Sequence, residues 1–339
     1  MQAYRLQAGA GIAGLARQEL SSREPGPTEI RVRLDAAALN NRDLSFANGL
    51  FYNPPTQAIV PLVDGCGEVV AAGAGVTRFK AGDRVITQYY PDWIEGELDP
   101  RKTARSFGAQ IDGTLAQEIT ADANAFAAAP RHLGAPAAAT LTCAGLTAWN
   151  ALFVAGAARP GATVLLLGTG GVSLWALQLA KAAGLRVLVT SSQDEKLDRA
   201  RRLGADGVIN YRTQPYWEDE ILRLTEGRGV DLVVEVGGEG TLARSLRATA
   251  AGGCVVVIGR VSGGRGVMIE PGMLIGGAKR LTGITTGSRA MLEQLVRFVD
   301  TNRIEPVVDT VFPFEEAPAA YAYLASGRHF GKVAIDLQA

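Results

Sequence analysis

The stretch TVLLLGTGGVS, residues 163–173, decides the fold class of this chain. Its five apolar residues predict a buried strand, and the glycines after them predict a tight turn into a helix. The pattern Gly168-x-Gly170-Gly171-x-Ser173 is typical of a dinucleotide-binding turn, where the first glycine makes the turn and the second admits a pyrophosphate. The last position of the motif holds Ser173 instead of glycine. The alternative is a strand–helix turn that binds no ligand.

The same strand–helix pattern repeats along the middle of the chain. Strand-like apolar runs lie at 163–167, 186–190, 207–209, 231–236 and 254–258. Helix-like stretches between them lie at 171–183, 195–203, 216–225 and 242–250. Such alternation predicts an α/β fold with a doubly wound parallel sheet, and it favours the ligand-binding interpretation of the turn.

The two ends of the chain have a different character. Strand-like alternation at 29–37, 67–72 and 84–88 predicts a β-rich domain, with residues 90–113 as a loop. Toward the end, the pattern predicts helices at 290–302 and 318–325 and a closing strand at 333–337. We expect this last part to return to the first domain.

Composition excludes several classes of function. Lysine and arginine total 34, and so do aspartate and glutamate, so the zero net charge predicts no nucleic-acid partner. We find no apolar run near 20 residues and no leader-like N-terminus, and therefore expect no membrane partner and a cytoplasmic location. Three scattered cysteines argue against a disulfide framework, and two histidines leave little material for a metal site or a catalytic triad.

The end of the second predicted strand indicates which cofactor binds. NAD-binding folds place an acidic residue about 20 residues after the glycines. Here the sequence reads Thr190-Ser191-Ser192, and Lys196 follows within reach of a 2′-phosphate. We therefore expect NADPH rather than NADH. The alternative is that Ser192 and Glu195 form a helix capping box and that Lys196 is simply solvated.

Several further segments resemble the medium-chain dehydrogenase/reductase superfamily, which includes zinc alcohol dehydrogenases and zinc-free quinone reductases. They are ALNNRD at 38–43, VDGCGE at 63–68, FKAGDRV at 79–85, CAGLTAW at 143–149, the Gly168 turn, LGAD at 203–206 and RHFGKV at 328–333. The resemblance implies a GroES-like, β-rich catalytic domain (1–126 and 288–339) and a Rossmann NAD(P)-binding domain (127–287). It also implies a homodimer in which sheet edges pair near 280–284.

The resemblance further identifies positions that hold zinc in the alcohol dehydrogenases. Asn40 and Val63 replace the first cysteine and the histidine of that ligand set, and only Cys143 matches. Zinc needs about three protein ligands, and the four-cysteine structural lobe is also missing from 90–113. We therefore expect no zinc, and we interpret Cys143 as a small buried residue.

Carried over residue by residue, the resemblance also assigns cofactor contacts. The pyrophosphate contacts are Gly168, Gly170, Gly171, Val172 and Ser173, and the contacts of the adenosine phosphate are Ser191, Ser192, Lys196 and Tyr211. The middle of the cofactor is lined by Val236, Gly237, Ile258, Gly259, Arg260, Ile284, Thr285 and Thr286. Asn40 and Thr147 lie beside the nicotinamide. Lys332 is assigned as a late phosphate contact. Val236, Ile258 and Ile284 are equally natural core residues, and Lys332 could be a surface charge.

Three residues are expected to take part in catalysis. Without zinc, side-chain donors must stabilise the charge that hydride transfer builds on oxygen. We expect Asn40 to hold the nicotinamide or the acceptor oxygen, Tyr52 to donate a proton and Arg42 to supply positive field. Alternatively, Arg42 and Asp43 form a structural ion pair and Tyr52 covers the cofactor.

Together these observations predict an NADPH-dependent reductase of a quinone or an α,β-unsaturated carbonyl. A second hypothesis is a zinc-free alcohol/aldehyde oxidoreductase, for which the chain offers no histidine relay near the ligand positions. A third is a protein that binds NADPH without catalysis. The expected partner is a small-molecule carbonyl or quinone substrate. The fold does not identify that substrate, because this architecture supports many chemistries.

Overall fold

The computed structural model describes residues 1–51, 53–263 and 266–338. Its strands are β1 (Gln2–Arg5), β2 (Ala16–Glu19), β3 (Glu29–Leu39), β4 (Asp64–Ala72), β5 (Arg84–Thr87), β6 (Glu118–Asp122), β7 (Phe126–Ala128), β8 (Thr163–Leu167), β9 (Arg186–Ser191), β10 (Gly207–Asn210), β11 (Val230–Glu235), β12 (Thr249–Val257), β13 (Arg280–Gly283), β14 (Val308–Pro313) and β15 (Lys332–Asp336). Its α-helices are α1 (Asn41–Ala47), α2 (Ala135–Ala139), α3 (Leu146–Trp149), α4 (Gly171–Ala182), α5 (Asp194–Arg202), α6 (Trp217–Leu224), α7 (Leu242–Ala248), α8 (Gly272–Ile275), α9 (Arg289–Asn302) and α10 (Ala317–Ala325).

The chain divides into two compact units. Unit 1 comprises Met1–Leu146 and Gly287–Ala339, and unit 2 comprises Thr147–Thr286. The first boundary lies 20 residues later than the domain boundary expected after residue 126. The reason is that α2 packs on β3, β4 and β15, and that the Thr142 hydroxyl donates to the Thr87 carbonyl at 2.7 Å. Tertiary packing therefore keeps residues 127–146 with unit 1.

Unit 2 contains a six-stranded sheet in the order β10-β9-β8-β11-β12-β13. Every neighbouring pair in it is parallel. All five residues of β8 are buried, as expected for a central strand covered on both faces. The order along the chain reverses between β8 and β11, which is the arrangement of a doubly wound nucleotide-binding sheet. The predicted α/β fold is confirmed.

Unit 1 is built around a seven-stranded mixed sheet. Six of its strands follow the order β14-β15-β3-β4-β5-β7, and β6 also pairs with β3. The long strand β3 alternates buried and partly exposed residues before it becomes fully buried at its carboxyl end. Large side chains such as Phe126, Phe314 and Tyr321 fill the core beside it. This sheet confirms the predicted GroES-like, β-rich domain.

One helical segment corrects the expectation about apolar runs. The continuous helical stretch Ala135–Ala155 has 21 residues and a mean hydropathy of 1.4, so its length and composition would allow a membrane span. Two π-helical turns, Leu141–Gly145 and Asn150–Ala155, interrupt its α-helical hydrogen bonding. Of its most apolar 18-residue window, 72% is buried inside the protein, which is how a core helix behaves.

Residues 90–113 form turns and bends without a helix or a strand, as the sequence predicted. Charged side chains hold this loop together. Lys102 donates to the carbonyls of Glu95 and Glu97 at 2.9 and 3.1 Å, and Arg105 pairs with Asp92 at 2.7 Å. Hydrogen bonds to carbonyl oxygens and an ion pair with a carboxylate therefore hold distant parts of this loop together.

Candidate functional site

The predicted cofactor residues of unit 2 collect at one edge of its sheet. Those that lie at or just after the carboxyl ends of β8, β9, β11, β12 and β13 are Gly168, Gly170, Gly171, Val172 and Ser173, Ser191 and Ser192, Val236 and Gly237, Ile258–Arg260 and Ile284–Thr286. Because all these strands are parallel, their carboxyl ends meet at the same edge. Ligands of doubly wound sheets bind there, beside the point where strand order reverses.

The glycine-rich turn leaves open space above its backbone. Gly168 has φ +75°, a left-handed conformation that favours glycine, and its N–H donates to Thr190 at 2.8 Å. A Cβ added at Gly168 or Gly170 would meet no atom of the protein within 4 Å. The backbone at this turn is therefore accessible to a ligand, which is what a pyrophosphate requires.

Helix α4 presents its amino end to this space. Its N-cap is Gly170, which offers no side-chain acceptor, so the first amides of the 12-residue helix keep donors free for an anion. The Ser173 hydroxyl donates to the Leu167 carbonyl at 2.7 Å and lies buried. Ser173 therefore fastens the helix to β8, and only its backbone amide is left for the predicted pyrophosphate contact.

Glu235 is a residue that the sequence interpretation missed. Its carboxylate is completely buried at the end of β11, and Oε1 accepts from the amides of Gly237 and Gly238 at 2.8 and 3.0 Å. Thr241 donates to the same oxygen at 2.6 Å, while the Ser245 hydroxyl donates to Oε2. This carboxylate fixes the loop that carries Val236 and Gly237. The signal was an acidic residue directly after three buried apolar ones, Leu232–Val234.

The adenosine end of the predicted site also takes shape in unit 2. Ser191 is buried at the end of β9, and its carbonyl accepts from the Tyr211 amide at 3.1 Å. Lys196 lies in α5 and is only 9% exposed, so it is not simply solvated. The capping-box alternative is also not what forms, because Gln193 is the N-cap of α5 and makes no side-chain cap.

The remaining positions of unit 2 differ in how much they can offer a ligand. Asn150 donates to the carbonyls of Thr285 and Thr286, both at 3.1 Å, and thereby fixes that segment. Val236 packs against the core of the unit, which supports its interpretation as a core residue. Ile258 and Ile284 are partly buried, Arg260 is exposed, and Thr147 is buried at the start of the unit.

In unit 1, the strand register brings three polar residues together. Ala38 of β3 pairs with Asp64 at the start of β4, and Leu39 pairs with Val333 of β15. Both neighbours run antiparallel to β3, so they start where β3 ends. Asn40, Asp64 and Lys332 therefore meet at one point, although they lie far apart in the sequence.

Lys332 is buried and all three of its N–H donors are used. Its ammonium donates to the Leu39 carbonyl at 2.6 Å, to Asn40 Oδ1 at 2.5 Å and to Asp64 Oδ2 at 2.9 Å. The Lys332 and Asp64 side chains are 3% and 0% exposed. This corrects two interpretations: Lys332 is not a surface charge, and it has no N–H left for the predicted phosphate contact.

The contact with Lys332 leaves one donor of Asn40 unused. An ammonium only donates, so it binds the amide oxygen and turns Nδ2 away from itself. Asn40 is only 9% exposed, yet its Nδ2 makes no hydrogen bond within the described residues. A buried donor without a partner costs about 1–3 kcal/mol, which an acceptor oxygen would recover. Asn40 is thus prepared to bind an oxygen atom.

Of the other two predicted catalytic residues, the structure describes only Arg42. Arg42 donates to the Phe107 carbonyl at 2.9 Å and to Ser106 Oγ at 3.2 Å, and its guanidinium lies 4.8 Å from the ring centre of Tyr89. Among the described residues no ion pair joins Arg42 to Asp43, the alternative considered, although Arg42 lowers the pKa of Asp43 electrostatically. Tyr52, the predicted proton donor, lies outside the described residues.

Zinc does not fit the positions where the alcohol dehydrogenases would bind it. Val63 is fully buried and has no ligand atom, and burial raises the pKa of the Cys143 thiol well above its usual range. The Lys332 ammonium already binds Asn40 and would repel a dication there. Across residues 1–51, 53–263 and 266–338, no group of three or more His, Cys, Asp or Glu side chains is arranged to hold a metal.

Asp43 predicts a pH dependence of stability. Its carboxylate accepts from the Asn40 amide at 2.8 Å, and burial raises its pKa to about 6, with Asp64 adding to the rise while Arg42 and Lys332 oppose it. In the unfolded chain the pKa of an aspartate is about 4, so between these values the native state binds more protons. The contribution of Asp43 to stability therefore falls as pH rises from about 4 to about 6, by about 3 kcal/mol in total.

Comparison with Asp43→Asn isolates this contribution, because asparagine does not titrate. Urea denaturation of both proteins between pH 4 and pH 8 is expected to show the wild type losing stability relative to the variant across that interval. Other carboxylates affect both proteins equally and cancel in the difference. Parallel stability curves would contradict the assignment.

Known protein families match both units of the chain. Residues 26–131 match the family described as alcohol dehydrogenase GroES-like domain, and residues 171–301 match the family described as zinc-binding dehydrogenase. A zinc-type alcohol dehydrogenase-like protein of Schizosaccharomyces pombe is 40% identical over 316 residues, covering 92% of this chain and 91% of that protein.

Solved structures agree with these matches. An alcohol dehydrogenase structure from Sinorhizobium meliloti is 40% identical, with a TM-score of 0.91 and 99% of both chains covered. A quinone oxidoreductase structure from Pseudomonas syringae is 25% identical, with a TM-score of 0.83 and again 99% of each chain covered. The similarities extend over the full length of the chain.

Proposed function

This chain belongs to the medium-chain dehydrogenase/reductase superfamily and is an oxidoreductase of that family; we propose that it reduces an α,β-unsaturated carbonyl or a quinone with NADPH and without a metal. The unused Nδ2 donor of Asn40, held next to a buried ammonium, carries this proposal. It supplies a hydrogen bond to oxygen at a position where zinc does not fit.

The turn at Gly168–Ser173 and the amino end of α4 would hold the pyrophosphate of the cofactor. When bound, NADPH would supply the hydride, which on an enone bonds to the β-carbon and leaves negative charge on the carbonyl oxygen. Asn40 Nδ2 would donate to that oxygen. A proton from water completes the reaction at the α-carbon, so that enone, hydride and proton give the saturated ketone.

The acceptor class follows from the strength of this donor. Reduction of a simple aldehyde concentrates a full charge on one oxygen, for which zinc or several donors are the usual stabilisers. In an enone or quinone the charge is delocalised, so fewer donors suffice. The alcohol/aldehyde reaction remains the second candidate, because the S. pombe and S. meliloti relatives carry alcohol dehydrogenase names.

The assay that tests this function follows the absorbance of the reduced nicotinamide in protein purified with a chelator. NADPH and NADH are each tested with a quinone, an open-chain enone and a simple aldehyde. Oxidation of NADPH by the quinone or enone, unchanged by the chelator, is the expected result. Turnover of aldehyde alone would favour the second candidate, and binding of NADPH without turnover of any acceptor would favour a non-catalytic role.

The choice of NADPH is supported by the serines that end β9. No carboxylate stands at Ser191 or Ser192 to accept from ribose hydroxyls or to repel a 2′-phosphate. Ser192→Asp is expected to weaken NADPH binding about tenfold or more, since one repulsive charge is worth about 1.4 kcal/mol or more. Ser192→Asn is the matched neutral control. Equal NADPH dissociation constants for both variants, by fluorescence titration, would contradict the preference.

We also propose that the protein forms a homodimer and acts in the cytoplasm. β13 is one of the two edge strands of its sheet, and Ile275 of the preceding helix α8 is 78% exposed. Ile275→Asp is therefore expected to shift the mass measured by light scattering toward the monomer; a monomeric wild type would refute the dimer.

The cytoplasmic location is supported by the three cysteines, all of which are unpaired.

A further inference from the structure

The stability of the sheet does not by itself require the buried ion pair of Asp64 and Lys332. Burying two charges costs desolvation energy, and apolar side chains of similar size commonly stabilise a core as well or better. Here the pair lies at the junction of β3, β4 and β15, where only strand ends have to be joined. Besides Asp64, this ammonium also donates to the side chain of Asn40. The pair therefore acts on Asn40 as well as on the strand ends.

We propose that Lys332 is a positioning residue for the reaction: it orients and polarises the Asn40 amide so that Nδ2 donates to the carbonyl oxygen of the substrate. Asp64 holds the ammonium in place. This inference rests on the proposed function, because it assigns the oxygen that Asn40 binds.

Two physical effects support the assignment. First, Lys332 fixes the orientation of the amide, because Oδ1 must face the ammonium at 2.5 Å and Nδ2 must then face elsewhere. Second, positive charge at Oδ1 withdraws electron density from the amide nitrogen, so its N–H groups become stronger donors in a cooperative chain of hydrogen bonds. The chain Asp64–Lys332–Asn40 thus directs a donor toward the charge that develops on oxygen.

Asp64→Asn together with Lys332→Gln tests this inference without leaving an unpaired charge. Glutamine can still donate to Asn40 Oδ1, so the hydrogen bond is kept while the charge is removed. We expect kcat with the enone to fall about tenfold, because Nδ2 still donates but is no longer polarised by a charge, whereas KM and the NADPH dissociation constant change less than about threefold. Asn40→Ala should lower kcat about 100-fold, the usual loss for one oxyanion donor, and the triple variant should lose little more than Asn40→Ala, since residues that act as a unit are not additive.

An infrared measurement provides a readout that is independent of turnover. Cyclohex-2-enone labelled with ¹³C at its carbonyl is bound in the presence of NADP⁺, so no reduction occurs. In the wild type its C=O stretch should shift to lower frequency; the double variant should show a clearly smaller shift, and in Asn40→Ala most of the shift should disappear. Neutralising another ion pair, Glu218→Gln with Arg247→Gln in unit 2, is the matched control and should change neither kcat nor the stretch.

The outcomes are distinguishable. If the wild type turns over but the double variant keeps its kcat within about threefold and its infrared shift, Lys332 only joins strands and the inference is overturned while the proposed function stands. If the NADPH dissociation constant rises in Asn40→Ala while kcat is unchanged, the oxygen bound by Asn40 is the carboxamide of the cofactor, which also overturns it. A wild type with neither turnover nor a shifted carbonyl overturns the proposed function and this inference together.

Discussion

Replacing Lys332 by methionine is expected to lower the free energy of unfolding by about 3–5 kcal/mol, the loss observed when one partner of a buried ion pair is removed. Methionine fills a similar volume, so the change removes charge and hydrogen bonds with little cavity. Asp64 is completely buried and would be left as a carboxylate without its cation. The Leu39 carbonyl and Asn40 Oδ1 would lose their donor as well.

Urea denaturation followed by tryptophan fluorescence measures this loss. The double variant Asp64→Asn, Lys332→Gln is the control, because it removes the uncompensated charge and should recover a large part of the stability. A surface pair gives the contrasting case: Lys181→Met, which breaks the half-exposed pair with Asp206, should cost about 1 kcal/mol or less. A loss below 1 kcal/mol for Lys332→Met would refute the buried, paired state of this lysine.

Gly170→Ala is expected to weaken NADPH binding about 100-fold without changing the stability of the protein. The added methyl group meets no protein atom within 4 Å, and the backbone at Gly170 is extended, which alanine adopts freely. The space it fills is the one through which a pyrophosphate approaches the amides of α4. Loss of two charge-assisted hydrogen bonds, at about 1.5 kcal/mol each, corresponds to that factor.

Gly134→Ala is a matched control for this substitution. Gly134 is also the N-cap of a helix, α2, and a Cβ there likewise meets nothing within 4 Å. Fluorescence titration with NADPH and thermal unfolding should show normal binding and normal stability for this variant. If Gly170→Ala binds NADPH as tightly as the wild type, the pyrophosphate does not lie at the Gly168 turn.

The sheet of unit 2 could be predicted from the sequence because its signals are local. Runs such as 163–167 are continuous and apolar, since both faces of a central parallel strand are buried. The sixth strand, β13, lacked this signal: Arg280–Gly283 has two polar residues and a glycine, as an edge strand may. Helix α1 and strand β14 were missed for the same reason, because short, partly exposed elements carry little periodicity.

Some residues of the candidate site likewise have a local sequence signal, and others do not. The Gly168 turn could be predicted because a strand, a turn and a helix follow one another directly, and each has its own pattern. The role of Lys332 could not be, because the residue became a phosphate contact by resemblance alone. Only the antiparallel pairing of β3 with β4 and β15 shows that its ammonium lies between Asn40 and Asp64.

The sequence by itself therefore determined the two fold classes, the dinucleotide turn and the serines at the end of β9, all of which depend on contiguous residues. The tertiary structure decided which charges are buried and what they contact, from Glu235 bound by its own loop to Lys332 joined to Asp64 across 268 positions. The physical reason is that burial and pairing depend on strand register, which relates residues distant in the chain, whereas turns and strands are specified by neighbouring residues.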